Sequence, residues 1–140
     1  EVVGRDARKP RFIGDMPHAW VASDFVRSVL DMFAYDRARD RSLVLGAGVP
    51  PSWFEGPSVG VRNLHTSYGT LSWSATTRHG RLILRVGGDA RPPGGFVFPW
   101  PFVGPPGVAR LNGRSLTWNA GAVRLAGQGE LIVKALSARR

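Results

Sequence analysis

Carboxylates able to act as catalytic acids and bases are scarce where the sequence predicts the body of a domain. The glutamates are Glu1, Glu55 and Glu130, and most aspartates fall in the first third of the chain. Glu55 and Asp89 lie in predicted loops and could form a glycosidase pair, which needs carboxyl groups about 5–9 Å apart. Nothing in their spacing brings them together. We therefore interpret both as solvated loop carboxylates.

Nucleophile and metal sites have little support either. The sequence contains no cysteine, which excludes thiolate nucleophiles, thiolate metal ligands and disulfides. His18, His65 and His79 match no metal-ligand spacing. Ser72, His65 and Asp89 could be grouped as a triad, but no nucleophile-elbow pattern surrounds the serine. We expect this chain to carry no metal, no cofactor and no catalytic centre.

Aromatic side chains in proline-rich loops are better candidates for a contact surface. Sugar rings present apolar faces that stack on flat side chains, while their hydroxyls need polar partners. The loop aromatics are Trp53, Phe54, Trp100 and Phe102. They could bind carbohydrate or pack against a neighbouring domain. Trp73 and Trp118 instead follow the inward parity of their predicted strands, which predicts core positions.

The formal net charge is +9, and nearly all of it comes from arginine. Such a charge raises the question of a nucleic-acid partner. Most arginines are scattered singly, with short clusters only at residues 5–11, 37–41 and 139–140. We interpret the charge as a solvated basic surface and expect no nucleic-acid partner. A basic nucleic-acid-binding domain remains the lowest-ranked alternative.

One amphipathic helix is predicted from residue 17 to about residue 37. Its apolar positions recur at helical spacing at Val21, Phe25, Val29 and Met32 or Phe33. Pro17 suits the first helical turn, and Asp15 before it complements the helix dipole. Trp20 and Leu30 widen the apolar surface beyond one stripe, and a helix that wide usually has two partners. We expect the sheet of this domain to be one, and a helical body outside this chain to be the other.

After the charged turn at residues 36–41, short apolar runs separated by Gly, Pro and Asn predict β-strands. The predicted strands cover residues 42–49, 58–64, 71–78, 81–86, 95–100, 108–111, 114–118, 122–125 and 129–136. His79-Gly80 and Asn112-Gly113 predict tight hairpin turns. The fold class is therefore mainly β, an antiparallel β-sandwich of about eight or nine strands with one N-terminal amphipathic α-helix.

Three stretches of the sequence carry a resemblance to a known family. Residues 15–20 read DMPHAW at the helix start, residues 43–54 read LVLGAGVPPSWF, and residues 59–74 read VGVRNLHTSYGTLSWS. As a series they resemble the C-terminal end of bacterial six-hairpin glycosidases, the (α/α)6-toroid glycoside hydrolases that include the α-L-rhamnosidases. The resemblance covers about residues 15–98.

The resemblance implies that the last toroid helix runs directly into a C-terminal β-sandwich. It also implies that the catalytic acid and base lie upstream of this chain, so none is carried over to it. His18 matches a position near the substrate cleft of the full-length enzyme. His65 departs from the family pattern, in which proline is common at that position, and this leaves the subfamily and the sugar open.

We expect three segments: residues 1–14 as a linker or the end of a preceding segment, 15–40 as a helix bordering an upstream helical toroid, and 41–140 as the β-sandwich domain. The chain begins with Glu instead of Met, which favours excision from a larger protein. Its first residues are charged where a signal peptide is apolar, and no apolar run approaches the roughly 20 residues of a bilayer span. We expect a soluble protein without a membrane partner, located in the bacterial cytoplasm, the periplasm or outside the cell.

The leading functional hypothesis is a non-catalytic C-terminal β-sandwich accessory domain of a carbohydrate-active glycoside hydrolase. We expect this chain alone not to be an enzyme. Its expected partners are the upstream catalytic domain of the same protein, carbohydrate, and a second copy bound through the exposed helix. The candidate contact residues are His18, Trp20, Trp53, Phe54, Trp100 and Phe102. The alternative is an independent carbohydrate-binding module.

Overall fold

The computed structural model describes residues 18–134 of the 140-residue chain. The chain divides into two units, of which the first ends at Leu30 and the second begins at Asp31. The predicted linker at residues 1–14, the helix start at 15–17 and the end of the predicted closing strand at 135–136 lie outside the described residues.

The helix, α1, covers Ala19–Phe33 and ends before the predicted position near residue 37. The difference arises because the next four residues, Ala34–Arg37, form a strand. This strand pairs antiparallel with Ser42–Leu45, from Ala34 opposite Leu45 to Arg37 opposite Ser42. A 3-10 turn at Ala38–Asp40 joins the two strands. Hairpin pairing with the next strand therefore replaces the helical hydrogen bonds that the apolar spacing favours.

Eleven strands follow α1 within the described residues, and they form two sheets. They are β1 (Ala34–Arg37), β2 (Ser42–Leu45), β3 (Val59–Thr66), β4 (Gly69–Arg78), β5 (Arg81–Gly88), β6 (Phe96–Pro99), β7 (Ala109–Leu111), β8 (Arg114–Leu116), β9 (Trp118–Asn119), β10 (Ala122–Leu125) and β11 (Gly129–Lys134). Each of the predicted strands has a counterpart here. The short strands β1 and β9 are additional: β1 lies inside the predicted helix, and β9 begins at the last residue of the strand predicted over residues 114–118.

The order is β1-β2-β6-β10-β9 in sheet A and β3-β4-β5-β11-β7-β8 in sheet B. All described neighbours pair antiparallel except β2 and β6, which run parallel with Leu43 opposite Phe96. The strand predicted over residues 42–49 ends at Leu45, because the chain turns at Gly46 with a positive φ of 67°. The short helix α2, Pro51–Phe54, then lies between β2 and β3. The fold is mainly β, as predicted.

Tight turns set the register of the hairpins. His79 and Gly80 have φ angles of 50° and 68° between the paired residues Arg78 and Arg81. Asn112 and Gly113, with φ angles of 47° and 83°, join β7 to β8 in the same way. Both hairpins are confirmed, and the positive φ angles explain why Asn and Gly serve there.

One hydrophobic core lies between the two sheets, because buried residues of both belong to a single cluster. Sheet A contributes Leu43, Leu45, Phe96, Phe98, Val123 and Leu125, and sheet B contributes Leu71, Trp73, Leu82, Leu84, Leu131 and Val133. Trp73 is 3% exposed, which confirms its predicted core position. Its Nε1 donates to the carbonyl oxygen of Phe33 at 3.0 Å, so the end of α1 is fixed to the core of the second unit.

The predicted strand over residues 114–118 is divided between the two sheets. Its first part is β8 in sheet B, while Trp118 begins β9 in sheet A, opposite Val123. Trp118 is partly buried and packs against the core cluster. The chain thus crosses from one sheet to the other at Thr117.

Among the described residues, no helix combines the length and the apolar character needed to cross a lipid bilayer.

Candidate functional site

The loop between β6 and β7 carries two of the predicted contact residues, Trp100 and Phe102. Proline precedes each of them, which fixes the backbone φ angle and leaves one fewer amide to satisfy. The backbone amide of Trp100 donates to the carbonyl oxygen of Gly121 at 2.8 Å. The two rings meet edge to face with centroids 5.1 Å apart. The loop therefore holds its aromatic side chains in a defined arrangement.

This aromatic cluster continues on both sides of the loop. The ring of Trp118 lies 5.8 Å from that of Trp100, also edge to face. Phe102 contacts Phe54 at 6.2 Å, and Phe54 contacts Phe98 at 6.1 Å. Aromatic pairs with this geometry contribute about 0.5–1.5 kcal/mol beyond the area that they bury. The cluster thus connects the loop surface to the core.

Burial separates the two aromatic residues of α2. Phe54 is completely buried, so the prediction that it contacts carbohydrate or another domain is corrected: its ring fills the core of this chain. Trp53 is 47% exposed. Consecutive positions on a helix point about 100° apart, which is why one ring faces inward and the other faces solvent. Trp53, Trp100 and Phe102 remain as candidate contacts in this region.

The polar atoms of the two loop tryptophans differ. Nε1 of Trp118 donates to the carbonyl oxygen of Gly107 at 2.8 Å and ties down the far end of the loop. Nε1 of Trp100 is buried and has no hydrogen-bond partner in the part of the chain that the structure describes. A buried indole N–H normally has an acceptor. Trp100 therefore keeps one buried donor unsatisfied inside the aromatic cluster.

The remaining predicted contacts, His18 and Trp20, belong to the first unit. Their rings meet edge to face with centroids 4.8 Å apart. Trp20 is 67% exposed. The predicted contact residues are therefore divided: Trp100, Phe102 and Phe54 are joined in one cluster, and His18 and Trp20 form a separate pair.

Two residues beside the cluster are missing from the predicted contact set. Strand parity predicts a core position for Trp118, and its partly buried ring packs against the core cluster as well as against Trp100. Val103, at the tip of the loop, is fully exposed. The run Pro99 to Gly107, rich in proline and glycine, was the available signal, because it predicts an ordered loop with few backbone bonds of its own.

The carboxylates considered for catalysis lie in structural positions. Oδ1 of Asp89 accepts a hydrogen bond from the backbone amide of Thr70. Glu55 is exposed at the end of α2. Oγ of Ser72 accepts from the amide of Asn63 at 2.9 Å, across a bulge in the pairing of β3 with β4. Asp89 and Ser72 thus bind backbone amides of sheet B.

A second polar cluster centres on Asp40, at the turn between β1 and β2. Arg37 binds both carboxylate oxygens of Asp40, at 3.0 and 2.7 Å, and Arg124 of β10 binds one at 2.6 Å. Ser42 donates to the carboxylate at 2.7 Å. Hydrogen bonds from Arg37, then Arg124 and Ser42, hold the pKa of Asp40 far below the ordinary carboxyl value of 3.8.

The Asp40 cluster lies beside an open cleft of about 440 Å³, which is lined by Arg37, Arg39, Asp40, Asn119 and Arg124 among others. The Arg124–Asp40 ion pair links residues 84 positions apart in the sequence. The arginines neutralise the carboxylate, and the cluster links β1 and its turn to β10. A low pKa also makes Asp40 a poor proton donor or acceptor near neutral pH.

The fold defines a class of protein: a mainly β domain of two packed sheets, preceded by a helix. The described residues hold no group of three or more His, Cys, Asp or Glu side chains arranged to bind a metal ion. No protein-family model, no curated protein and no solved structure matches this chain. Its function has to be inferred from the surfaces described above.

Proposed function

We propose that this chain is the non-catalytic C-terminal β-sandwich accessory domain of a carbohydrate-active glycoside hydrolase. In this proposal α1 packs against the catalytic domain of the same protein and joins it to the sandwich. The observation that carries the proposal is the exposed apolar surface of α1. The resemblance of residues 15–98 to the end of six-hairpin glycosidases supports the choice of enzyme class.

Large apolar side chains of α1 are exposed to an unusual degree. Trp20 is 67% exposed, Phe25 is 70% exposed and Val26 is 55% exposed. No residue of the helix is buried. A helix that is apolar over much of its circumference usually packs on more than one side, and contiguous exposed apolar surface commonly marks an interaction site. A helical catalytic body supplies such a partner.

The accessory role also agrees with the environment of the acidic residues. Asp40 is neutralised by two arginines and Asp89 binds a backbone amide. Glycoside hydrolysis needs one carboxyl group that is free to donate a proton and a second within about 5–10 Å. The proposal therefore assigns hydrolysis to a domain outside this chain.

The first experiment assays the isolated chain on aryl glycosides of rhamnose, glucose and arabinose. We expect no turnover above the buffer rate. Turnover that disappears in Glu55→Gln or Asp89→Asn would contradict the accessory role, because it would place a catalytic carboxylate within this chain.

The second experiment tests the helix in the full protein, produced together with the coding sequence upstream of this chain. We expect that sequence to encode paired helical hairpins with Asp and Glu at their ends. Phe25→Ser should then lower the melting temperature of the whole protein, because it removes an apolar contact between domains. Asp24→Ser, on the polar side of the same helix, is the matched control and should have little effect. Equal effects of the two substitutions would count against the proposed interface.

A second candidate function is an independent carbohydrate-binding module. It is favoured by the exposed ring of Trp53, because a flat, exposed aromatic side chain can stack on the apolar face of a sugar ring. Trp53 lies in the second unit, so binding would not require the first unit.

Glycan titration of the isolated chain distinguishes this candidate. Trp53→Ala should weaken binding about fivefold, which corresponds to the loss of one stacking contact of about 1 kcal/mol. The control is Tyr35→Ala, which removes a 38% exposed aromatic side chain of β1. A glycan array without a saturable ligand would rule the module out.

A further inference from the structure

The outward face of sheet B gathers positive charge that is dispersed in the sequence. On β5, Leu82 and Leu84 point into the core, so Arg81 and Arg85 point away from it. The registers of β4, β11 and β7 place further cations on that side. The five residues are Arg78, Arg81, Arg85, Arg110 and Lys134, and we call them the basic face.

Three of these cations form a row across adjacent strands. Arg78 of β4 is directly opposite Arg81 of β5, and Arg81 is directly opposite Lys134 of β11. Like charges in directly opposed positions destabilise a sheet. A structure that keeps an unfavourable local arrangement commonly does so at a functional site. The stability of the sheet therefore does not explain why these three cations lie opposite one another.

Acidic side chains do not compensate the row. Glu130 of β11 pairs with Arg85 at 2.7 Å and is thus committed to one end of the basic face. Arg78, Arg81 and Lys134 have no acidic partner in the part of the chain that the structure describes, and neither does Arg110. All four are exposed. Their charge is available to an anion.

A shallow depression lies within the basic face. It has a volume of about 310 Å³ and is lined by Arg81, Val108, Arg110, Gly113, Ile132 and Lys134. Ile132 supplies an apolar floor between the strands that carry Arg81 and Arg110, because it is opposite Ile83 on one side and Arg110 on the other. Three cations around an apolar floor suit an acidic sugar, which has a charged group and an apolar ring face.

We infer that the basic face binds an acidic polysaccharide, with sugar carboxylates held by Arg81, Arg110 and Lys134. Guanidinium groups bind carboxylates through two parallel hydrogen bonds, which fixes the orientation of the sugar as well as attracting its charge. The inference rests on the proposed carbohydrate function and names a class of glycan for it. It uses a surface that does not include Trp53 or Trp100.

The composition of this face favours a polysaccharide over a nucleic acid. Proteins that bind single strands stack bases on aromatic side chains, and the outward positions of β4, β5, β7 and β11 hold no Phe, Trp or Tyr within the described strands. Ser74 and Ser115 offer hydroxyl groups to a sugar instead.

The test titrates the chain with polygalacturonate at two salt concentrations, and with methyl-esterified polygalacturonate as the uncharged polymer. We expect binding to the charged polymer alone, weakened by salt. Arg81→Gln combined with Arg110→Gln should weaken binding by about tenfold or more, since hydrogen bonds to charged groups are among the stronger ones. Arg39→Gln combined with Arg114→Gln removes the same charge from exposed positions outside the basic face and should change binding less than about twofold.

Several outcomes would overturn the inference: no binding of polygalacturonate, equal binding of the esterified polymer, equal losses in the two double variants, or tighter binding of single-stranded or duplex DNA than of polygalacturonate. Thermal unfolding checks that each variant is folded. If the chain binds a neutral glycan through Trp53 but does not bind polygalacturonate, the acidic-glycan inference fails. The proposed carbohydrate function would still stand. If polygalacturonate still binds but Phe25→Ser and Asp24→Ser lower the melting temperature equally, the accessory role fails and the acidic-glycan inference stands.

Discussion

Trp53 and Phe54 are consecutive residues of α2, yet one faces solvent and the other is fully buried. Phe54 contacts Phe98 and Phe102, so its ring connects the core to the aromatic loop. The sequence indicated that both residues border prolines, but it could not assign their directions. The short helix α2, which begins at Pro51, sets the directions of the two side chains. The sequence does not predict this helix.

Phe54→Ala should lower the free energy of unfolding by about 3–5 kcal/mol, because it opens a cavity in a closely packed core. Trp53→Ala should lower it by less than about 1 kcal/mol, since much of that ring is already in solvent. Chemical denaturation of the two variants and the wild type measures both values. Similar losses in the two variants would contradict the assignment of Phe54 to the core.

Because of Asp40, we expect the free energy of unfolding of the second unit to fall at acidic pH. Its pKa is lowered in the folded state by hydrogen bonds from Arg37, Arg124 and Ser42. The stabilisation is therefore fully present above the unfolded value of 3.8 and is lost as the pH falls towards the lowered folded value. Asp40→Asn should be less stable than wild type at neutral pH, and it should lose less stability on acidification.

Melting temperatures of wild type and Asp40→Asn, measured from pH 7 down to pH 2.5, test this prediction. The difference between the two proteins should narrow below about pH 4. Asp89→Asn, whose carboxylate binds a backbone amide instead of arginines, is the matched control. A constant difference across the whole range would show that the Asp40 charge does not contribute.

At the scale of elements, the register of the strands decides which side chains share a face. The sequence predicts β4 and β5 as a hairpin closed by His79-Gly80, and this fixes Arg78 opposite Arg81. The pairing of β5 with β11 joins residues about 50 positions apart and has no local signal. For that reason the sequence shows these arginines as scattered, and it does not indicate the row that ends at Lys134.

Arg81→Glu should raise the free energy of unfolding by about 0.5 kcal/mol, because it converts two like-charge oppositions into attractive ones. Arg114→Glu makes the same change of charge on β8, opposite Leu111, and should have a smaller effect. Denaturation at low ionic strength measures both. A clear loss of stability in Arg81→Glu would mean that the row is not a source of repulsion.

At the scale of the whole molecule, the helix and the sandwich carry different kinds of surface. The two sheets close over one core. In contrast, α1 leaves Trp20 and Phe25 mostly exposed. Only the end of the helix, at Phe33, packs against that core. The helix is therefore the part of the chain most directly suited to contact another body.

In the isolated chain, the exposed residues of α1 should promote self-association. Trp20→Ser combined with Phe25→Ser should shift the sedimentation of a concentrated sample towards the monomer, and Asp24→Ser should not. Dimers or larger species that persist in the double variant would show that another surface joins the copies.

The sequence by itself determined the elements whose signals are local. Period-two alternation identified most strands, Asn-Gly and His-Gly identified two hairpins, and the spacing of Val21, Phe25 and Val29 identified the helix. The tertiary structure alone decided where α1 gives way to β1, that β2 and β6 run parallel, and that Trp118 lies in sheet A. The parallel pairing of β2 with β6 joins residues more than 50 positions apart. β1 and β9 pair with strands close in the sequence, but the local pattern there continues the preceding helix or strand and does not specify the partner. The same applies to the chemistry: the aromatic loop residues could be predicted one by one, whereas the basic face exists only because four strands lie side by side.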